Sequence, residues 1–186
     1  DIIFADKVIL YEGDTERMLI KNVLLSDRFE TLRNQYISFV QVGGAYAIKY
    51  KPILEYLNVK SLIITDLDYK TEAKTEADVR QSSSTNATIN AFAAEALSDA
   101  APTVEALYSW KDSSGCIVSN NICLEFQGQT DGYARTLEEA MLAKRYNVSV
   151  LDTKTKEEWT SLRENDKLRF VIPQKADSYS IRTIVQ

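Results

Sequence analysis

The amino-acid sequence predicts an α/β fold in which a parallel β-sheet is flanked by helices. Two observations support this prediction: short apolar runs of strand character recur along the chain, and amphipathic segments with helical periodicity separate them. Strands that alternate with helices at this spacing favour parallel pairing through right-handed crossovers. The chain of 186 residues fits one domain and can bury a sizeable core.

The alternation is clearest in the first part of the chain. Apolar runs predict strands at residues 7–11, 36–42 and 61–65, and helical periodicity predicts helices at 14–25 and 45–57. Each of these helices connects two strands, which is the pattern of parallel strand pairs.

Residues 70–115 interrupt this rhythm, because they are polar, Ser-rich in part and otherwise alanine-rich with helical character. We interpret them as a helical insertion into a core formed by residues 1–69 and 116–186. After the insertion, the sequence predicts a strand at 117–126 and an amphipathic helix at 136–146.

Two pairs of acidic residues follow predicted strands. Glu12 ends the first strand, Gly13 permits a tight turn, and Glu16 falls in the first turn of the next helix. Asp66 and Asp68 follow the third strand, and in extended backbone two residues that are two positions apart point to the same side. Because open α/β sheets bind ligands at the carboxyl ends of their strands, we expect one acidic patch there.

Such a patch indicates a bound cation. Two carboxylates about 4 Å apart repel by roughly 4 kcal/mol at an effective dielectric constant of about 20, and protonation or a divalent metal must offset that energy. Ligands that are all oxygen atoms point to Mg²⁺, Mn²⁺ or Ca²⁺.

Ordinary structural roles for these acids stay open at this stage. Acids are favoured at any helix start, and Asp14 competes with Glu16 as the functional acid, although its position suits an N-cap. Asp66 and Asp68 suit a turn at the end of a strand. Glu125 is read as a surface acid in preference to a further metal ligand.

Composition excludes several function classes. The chain contains no histidine, which rules out a Ser-His-Asp triad, a Cys-His protease and a His-ligated zinc site. It also lacks a Walker-type loop and a dinucleotide fingerprint. A net charge of −5 argues against a general electrostatic nucleic-acid binder. Two cysteines and the lack of signal-peptide or membrane-span patterns favour a cytoplasmic protein with no membrane partner.

The order strand, Glu-Gly, turn, helix, and later strand, Asp-x-Asp resembles the Toprim domain of topoisomerases, bacterial primases, recombination proteins and a class of nucleases. The resemblance implies a Rossmann-like parallel sheet with Glu12 as the acid of the first motif. Asp66 and Asp68 match the second motif.

A third motif narrows the resemblance. Residues 134–142 resemble the Ser/Thr-x-Glu helix of the overcoming-lysogenization-defect (OLD) nuclease family, in which a catalytic lysine usually follows near the end of the domain. Thr136 and Glu138 match the triplet, and Lys175 matches the lysine.

Membership of that family implies a divalent-metal-dependent DNA endonuclease that nicks DNA or cuts both strands. The resemblance implies two ions, Mg²⁺ or Mn²⁺ with Ca²⁺ also able to bind, and catalytic roles for Lys175, Glu12 and Asp66. It further implies a preceding ATPase domain in a longer chain, a homo-oligomer as one possible assembly and, for some members, antiviral systems such as Gabija. The ligands of one ion would be Glu12, Glu16 and Glu138, with support from Thr136, and those of the other would be Asp66 and Asp68.

Two alternative functions remain, one catalytic and one noncatalytic. A primase- or topoisomerase-like Toprim core would need further catalytic or zinc-binding domains. A noncatalytic Toprim scaffold would keep the acids for metal-dependent binding of DNA or a protein partner.

Overall fold

The computed structural model of this chain describes residues 1–43, 46–70, 72–114 and 117–152. Within them, strands and helices form an α/β fold, as the sequence predicts. Lys175 lies outside the described residues.

A five-stranded sheet with the order β2-β1-β3-β5-β4 forms the centre of the fold. Strands β2, β1, β3 and β5 are mutually parallel, whereas β4 pairs antiparallel with β5 at the edge. The carboxyl ends of β1, β3 and β5, which are neighbours in the sheet, therefore lie side by side. The strand bounds are Lys7–Tyr11 (β1), Ile37–Gln41 (β2), Lys60–Ile64 (β3), Ile117–Ser119 (β4) and Ile122–Glu125 (β5).

Helices connect these strands. The first follows β1 after a two-residue turn, three lie between β3 and β4, and the last follows β5. The helix bounds are Asp14–Leu24 (α1), Glu30–Arg33 (α2), Lys51–Tyr56 (α3), Glu76–Gln81 (α4), Ala87–Leu97 (α5), Val104–Ser114 (α6) and Leu137–Tyr146 (α7).

The helices between β3 and β4 share the core of the sheet. Phe92 of α5 and Tyr108 of α6 are buried in the same hydrophobic cluster as Val8 of β1 and Ile63 of β3. These helices are thus packed against the sheet, and the interpretation of residues 70–115 as an insertion stays a prediction.

Two predicted elements differ from the observed ones. The strand expected at 117–126 is a hairpin, in which Asn120 at the turn has a φ of 53° and reverses the chain between β4 and β5. The helix expected at 45–57 begins as a 3₁₀ turn at Ala47–Tyr50 before α3 continues it. Pro52 in the first turn of α3 explains the change, since proline has no backbone N–H to donate to the carbonyl four residues earlier and so interrupts the helical hydrogen bonds there.

Within the described residues, none of the helices combines the length and the apolar character that a membrane span requires. The cytoplasmic location stays a prediction.

Candidate active site

Glu12 lies at the carboxyl end of β1, directly after Tyr11. Its Oε1 atom accepts a hydrogen bond from the hydroxyl group of Thr65, which is the first residue after β3. The side-chain amide of Asn86 donates to the same Oε1 atom at 3.3 Å. Contacts across two strand ends and from the start of α5 thus hold the Glu12 carboxylate in place.

Glu16 lies in the first turn of α1, and its Oε2 atom accepts the backbone N–H of Gly13 at 2.9 Å. A Cβ atom at position 13 would lie 3.1 Å from that oxygen, so glycine permits this close approach. Glu16 is only 5% exposed. Burial raises the pKa of its carboxyl group, and the charges of Glu138 and Glu12 raise the pKa further.

Asp66 is the most strongly perturbed acid of the site. Its Oδ1 atom accepts hydrogen bonds from the Gln127 side-chain amide and from the backbone N–H of Leu137, both at 2.9 Å. Burial raises the pKa of Asp66 to about 8, and the charges of Glu16 and other neighbouring acids contribute, against the opposing hydrogen bond from Gln127. Through its hydrogen bond with Leu137, Asp66 joins the end of β3 to the amino end of α7.

The expected extended backbone between Asp66 and Asp68 is not observed. Strand β3 ends at Ile64, and Asp68 has a left-handed φ of 49°. The hydroxyl and N–H groups of Thr85 fix this turn by donating to the Asp68 carbonyl oxygen at 2.6 and 3.0 Å.

The Asp68 carboxylate nevertheless lies within the field of the other acids. Burial raises its pKa, as does the charge of Glu12, while Arg135 lowers it. The turn thus brings Asp68 to the same site by a different backbone path from the one expected.

Three residues at the amino end of α7 have different roles. Thr136 is the N-cap, and its hydroxyl group accepts the N–H of Glu139 at 3.4 Å. The Glu139 carboxylate accepts the N–H of Arg135, the residue before the N-cap, at 2.8 Å. Glu138 acts electrostatically on Glu16 and Asp66, and Glu139 acts on Asp68. Thr136 thus has a structural role here, and its proposed support of a metal ion stays a prediction.

Together these residues form what we call the acidic cluster, whose members influence one another electrostatically at the carboxyl edge of the sheet. In the part of the chain that the structure describes, no three of its acids already enclose a space for an ion. The donor set fits a hard divalent cation, because all donors are oxygen atoms and their repulsion would be relieved by positive charge. The members of the acidic cluster are Glu12, Glu16, Asp66, Asp68 and Glu138.

A cavity of about 840 Å³ adjoins the acidic cluster and includes Thr65 and Gln127 in its lining. Basic side chains lie at its edge. Lys111 of α6 pairs with Glu125 of β5 at 2.8 Å, so Glu125 is an ion-pair partner in this structure. The basic residues that line the cavity are Lys111, Lys144 and Arg145.

Sequence reasoning missed three residues of the site, Thr65, Asn86 and Gln127. Asn86 stands before an alanine-rich helical run, which is a recognisable N-cap signal. Nothing local indicates its contact with Glu12, which is 74 positions away. The Gln127 contact with Asp66 spans 61 positions and is equally hidden.

Comparison with known proteins places this geometry in a family context. Residues 3–68 match the family model of the overcoming lysogenization defect protein-like TOPRIM domain. The chain is 29% identical over 172 residues to Endonuclease GajA from Bacillus cereus (strain HuB5-5). That alignment covers 89% of this chain and 23% of GajA, so the chain spans less than a quarter of that relative's length.

Solved structures of OLD proteins also match. The C-terminal region of the Burkholderia pseudomallei OLD protein is 15% identical, with a TM-score of 0.45 and coverage of 97% of this chain and 87% of that chain. The C-terminal region of the Xanthomonas campestris pv. campestris OLD protein is 17% identical, with a TM-score of 0.41 and coverage of 99% and 92%. Residues 3–68 include Glu12 and the aspartates of the second motif, so the match to the OLD-like TOPRIM model falls on the segment that carries these motifs, and the resemblance drawn from them is confirmed.

Proposed function

We propose that this chain is a nuclease domain that hydrolyses DNA phosphodiester bonds with bound divalent metal. The observation that supports the proposal most strongly is the acidic cluster, in which acids from three separate segments meet at the carboxyl edge of a parallel sheet. The match to a relative named as an endonuclease supports the same reaction class.

In this proposal the acidic cluster binds two ions, either Mg²⁺ or Mn²⁺, with Ca²⁺ as a further ion able to bind. Such a pair of ions, when bound, activates water and stabilises the leaving oxygen of the phosphodiester. Thr136 secures the start of α7 and so the place of Glu138. Glu12, Glu16 and Glu138 would hold one ion, with support from Thr136, and Asp66 and Asp68 would hold the other.

The neutral donors around Asp66 have a defined part in this mechanism. The amide of Gln127 and the N–H of Leu137 both donate to the Asp66 Oδ1 atom. These hydrogen bonds would keep the Asp66 carboxyl group oriented when metal binding removes its proton. The basic groups along the adjoining cavity, of which Lys111 and Lys144 pair with Glu125 and Asp131, would contact the phosphates of the DNA backbone. In the same proposal, Lys175 neutralises charge that develops on the phosphate in the transition state.

Several wider features belong to the proposal. The chain matches less than a quarter of its endonuclease relative, and we propose that an ATPase domain accompanies it in a longer protein. The same proposal includes an antiviral role, a cytoplasmic location and a homo-oligomeric assembly.

Cleavage of supercoiled plasmid DNA tests the proposal. We expect cleavage by the wild-type protein with Mg²⁺ or Mn²⁺, none in EDTA, and none by the folded double variant Asp66→Ala/Asp68→Ala. Metal binding without turnover would instead favour a noncatalytic scaffold. Incorporation of nucleotides would favour a primase-like core, and strand passage or relaxation with religation would favour a topoisomerase-like core.

A further inference from the structure

Asn86 joins the helical segment between β3 and β4 to the acidic cluster. Its side chain is only 1% exposed. The Oδ1 atom accepts the backbone N–H groups of Thr88 and Ile89 at 3.0 and 3.3 Å and so caps α5. The Nδ2 atom points the other way, toward the ends of β1 and β3.

The Nδ2 atom has three oxygen acceptors within hydrogen-bond distance. They are the Glu12 Oε1 atom at 3.3 Å, the Thr65 Oγ1 atom at 2.7 Å and the Asp66 backbone oxygen at 2.9 Å. Thr65 in turn donates its hydroxyl hydrogen to the same Glu12 oxygen. Glu12, Thr65 and Asn86 therefore form a closed set of contacts that fixes one oxygen of the Glu12 carboxylate.

Capping alone does not require this amide. A helix N-cap uses a side-chain oxygen, and serine or aspartate serves there as well as asparagine. The amide nitrogen of Asn86 is nonetheless buried with all its contacts directed at the two strand ends. The amide thus links the start of α5 to both strand ends, and the Glu12 carboxylate is one of its three acceptors.

We propose that Asn86 is a positioning residue that orients Glu12 for metal binding, an inference that rests on the proposed function. Carboxylate ligands bind metal best when outer hydrogen bonds fix their orientation, and loss of such a partner typically costs about 10–100-fold in metal affinity or activity. The helical segment between β3 and β4 therefore contributes a residue to the site.

The test compares two serine variants of the whole chain. Asn86→Ser keeps a capping oxygen for α5 but removes the amide donor to Glu12. The matched control is Asn90→Ser on the same helix, because the Asn90 amide donates at 3.0 Å to the backbone oxygen of Ser84 and makes no contact with Glu12. Mn²⁺ affinity is measured by titration calorimetry, thermal unfolding reports stability, and single-turnover cleavage of plasmid DNA reports activity.

We expect Asn86→Ser to bind Mn²⁺ about 10–100-fold more weakly than wild type, with slower cleavage. Asn90→Ser should keep the wild-type Mn²⁺ affinity even where its melting temperature falls. Unchanged Mn²⁺ affinity in Asn86→Ser, or an equal loss in Asn90→Ser, would overturn the inference. Should Asn86→Ser fail to fold, Asn86→Gly also permits the start of α5 while it removes the amide, and wild-type Mn²⁺ affinity in that variant would overturn the inference equally.

Measurements on the wild-type protein distinguish a failure of this inference from a failure of the proposed function. Wild-type protein that neither binds Mn²⁺ nor cuts plasmid DNA would overturn both. Wild-type binding and cleavage, combined with an unaffected Asn86→Ser variant, would overturn only the role of Asn86.

Discussion

Asp66 shows how a single residue can make the stability of the metal-free protein depend on pH. Its pKa is about 8 in the folded chain and 3.8 as an ordinary aspartate, so folding favours the protonated form. The stabilising contribution is complete below about pH 4 and is lost as the pH rises toward 8. We therefore expect Asp66→Asn to lessen the decline in metal-free stability over this range. Urea unfolding in EDTA at several pH values measures it, and parallel curves for wild type and variant would contradict the expectation.

Two adjacent glutamates of α7 should respond differently to the same substitution. Glu138 belongs to the acidic cluster, whereas the Glu139 carboxylate accepts the N–H of Arg135, the residue before the N-cap. Glu138→Gln should abolish cleavage because it removes a charged ligand. Glu139→Gln should retain most cleavage, since glutamine also accepts a hydrogen bond at this position. Initial rates on plasmid DNA decide the matter, and the opposite ranking would exchange the two roles.

Lys175 is expected to act on the transition state and to contribute little to metal affinity, because a protonated lysine cannot bind a cation. Loss of one preorganised electrostatic group typically lowers the rate by about 10²–10³-fold. Lys175→Ala should thus bind Mn²⁺ as wild type does and cleave DNA more slowly by about that factor. Calorimetry and single-turnover kinetics on folded protein test this, and wild-type cleavage by the variant would remove Lys175 from the mechanism.

At the scale of elements, the turn before α7 depends on one glycine. Gly132 has a φ of 72°, and a Cβ atom there would lie 2.7 Å from both the Ala143 Cβ atom and the Val148 backbone oxygen. Gly132→Ala should therefore lower the free energy of unfolding by at least about 1–2 kcal/mol, the usual cost of left-handed backbone. Gly43→Ala is the matched control, since its Cβ atom would meet nothing within 4 Å. Equal denaturation midpoints for the two variants would contradict this account.

The elements that the sequence predicts best are those with an uninterrupted pattern. The apolar run of β1 and the amphipathic α1 are both predicted to within one residue of their observed bounds. The hairpin of β4 and β5 was missed because the apolar residues on both sides of the turn were read as one strand. Ser119, Asn120 and Asn121 interrupt that run with residues that favour turns, and this local signal indicates the reversal.

The sequence predicts the part of the site in which acidic residues directly follow strands. Glu12 and Asp66 stand at strand ends, and parallel pairing of β1 with β3 brings these ends together. The backbone turn at Asp68 and the contact of Asn86 with Glu12 were not predictable, since both depend on packing between distant segments.

For the whole molecule, we expect the acidic cluster to make stability depend on metal. A bound cation would relieve repulsion that exists only in the folded chain, so it should bind the folded state preferentially. At a concentration of 100 times its dissociation constant, such a ligand adds about 2.7 kcal/mol. Mg²⁺, Mn²⁺ and Ca²⁺ should each raise the melting temperature of wild type and have little effect on Asp66→Ala/Asp68→Ala. An equal rise in both proteins would place the ions elsewhere.

The strand order also determines when the acidic cluster can form during synthesis. Strand β3 pairs with β5 in the register Ser61 to Ile122, so the middle of the sheet stays incomplete until late in the chain. Glu138 emerges later still, and the N–H of Leu137 reaches Asp66 only after α7 has docked. A growing chain on the ribosome therefore exposes Glu12 and Asp66 before the segments that complete the acidic cluster have been made. If the proposed DNA cleavage is correct, this order of synthesis keeps unfinished chains inactive.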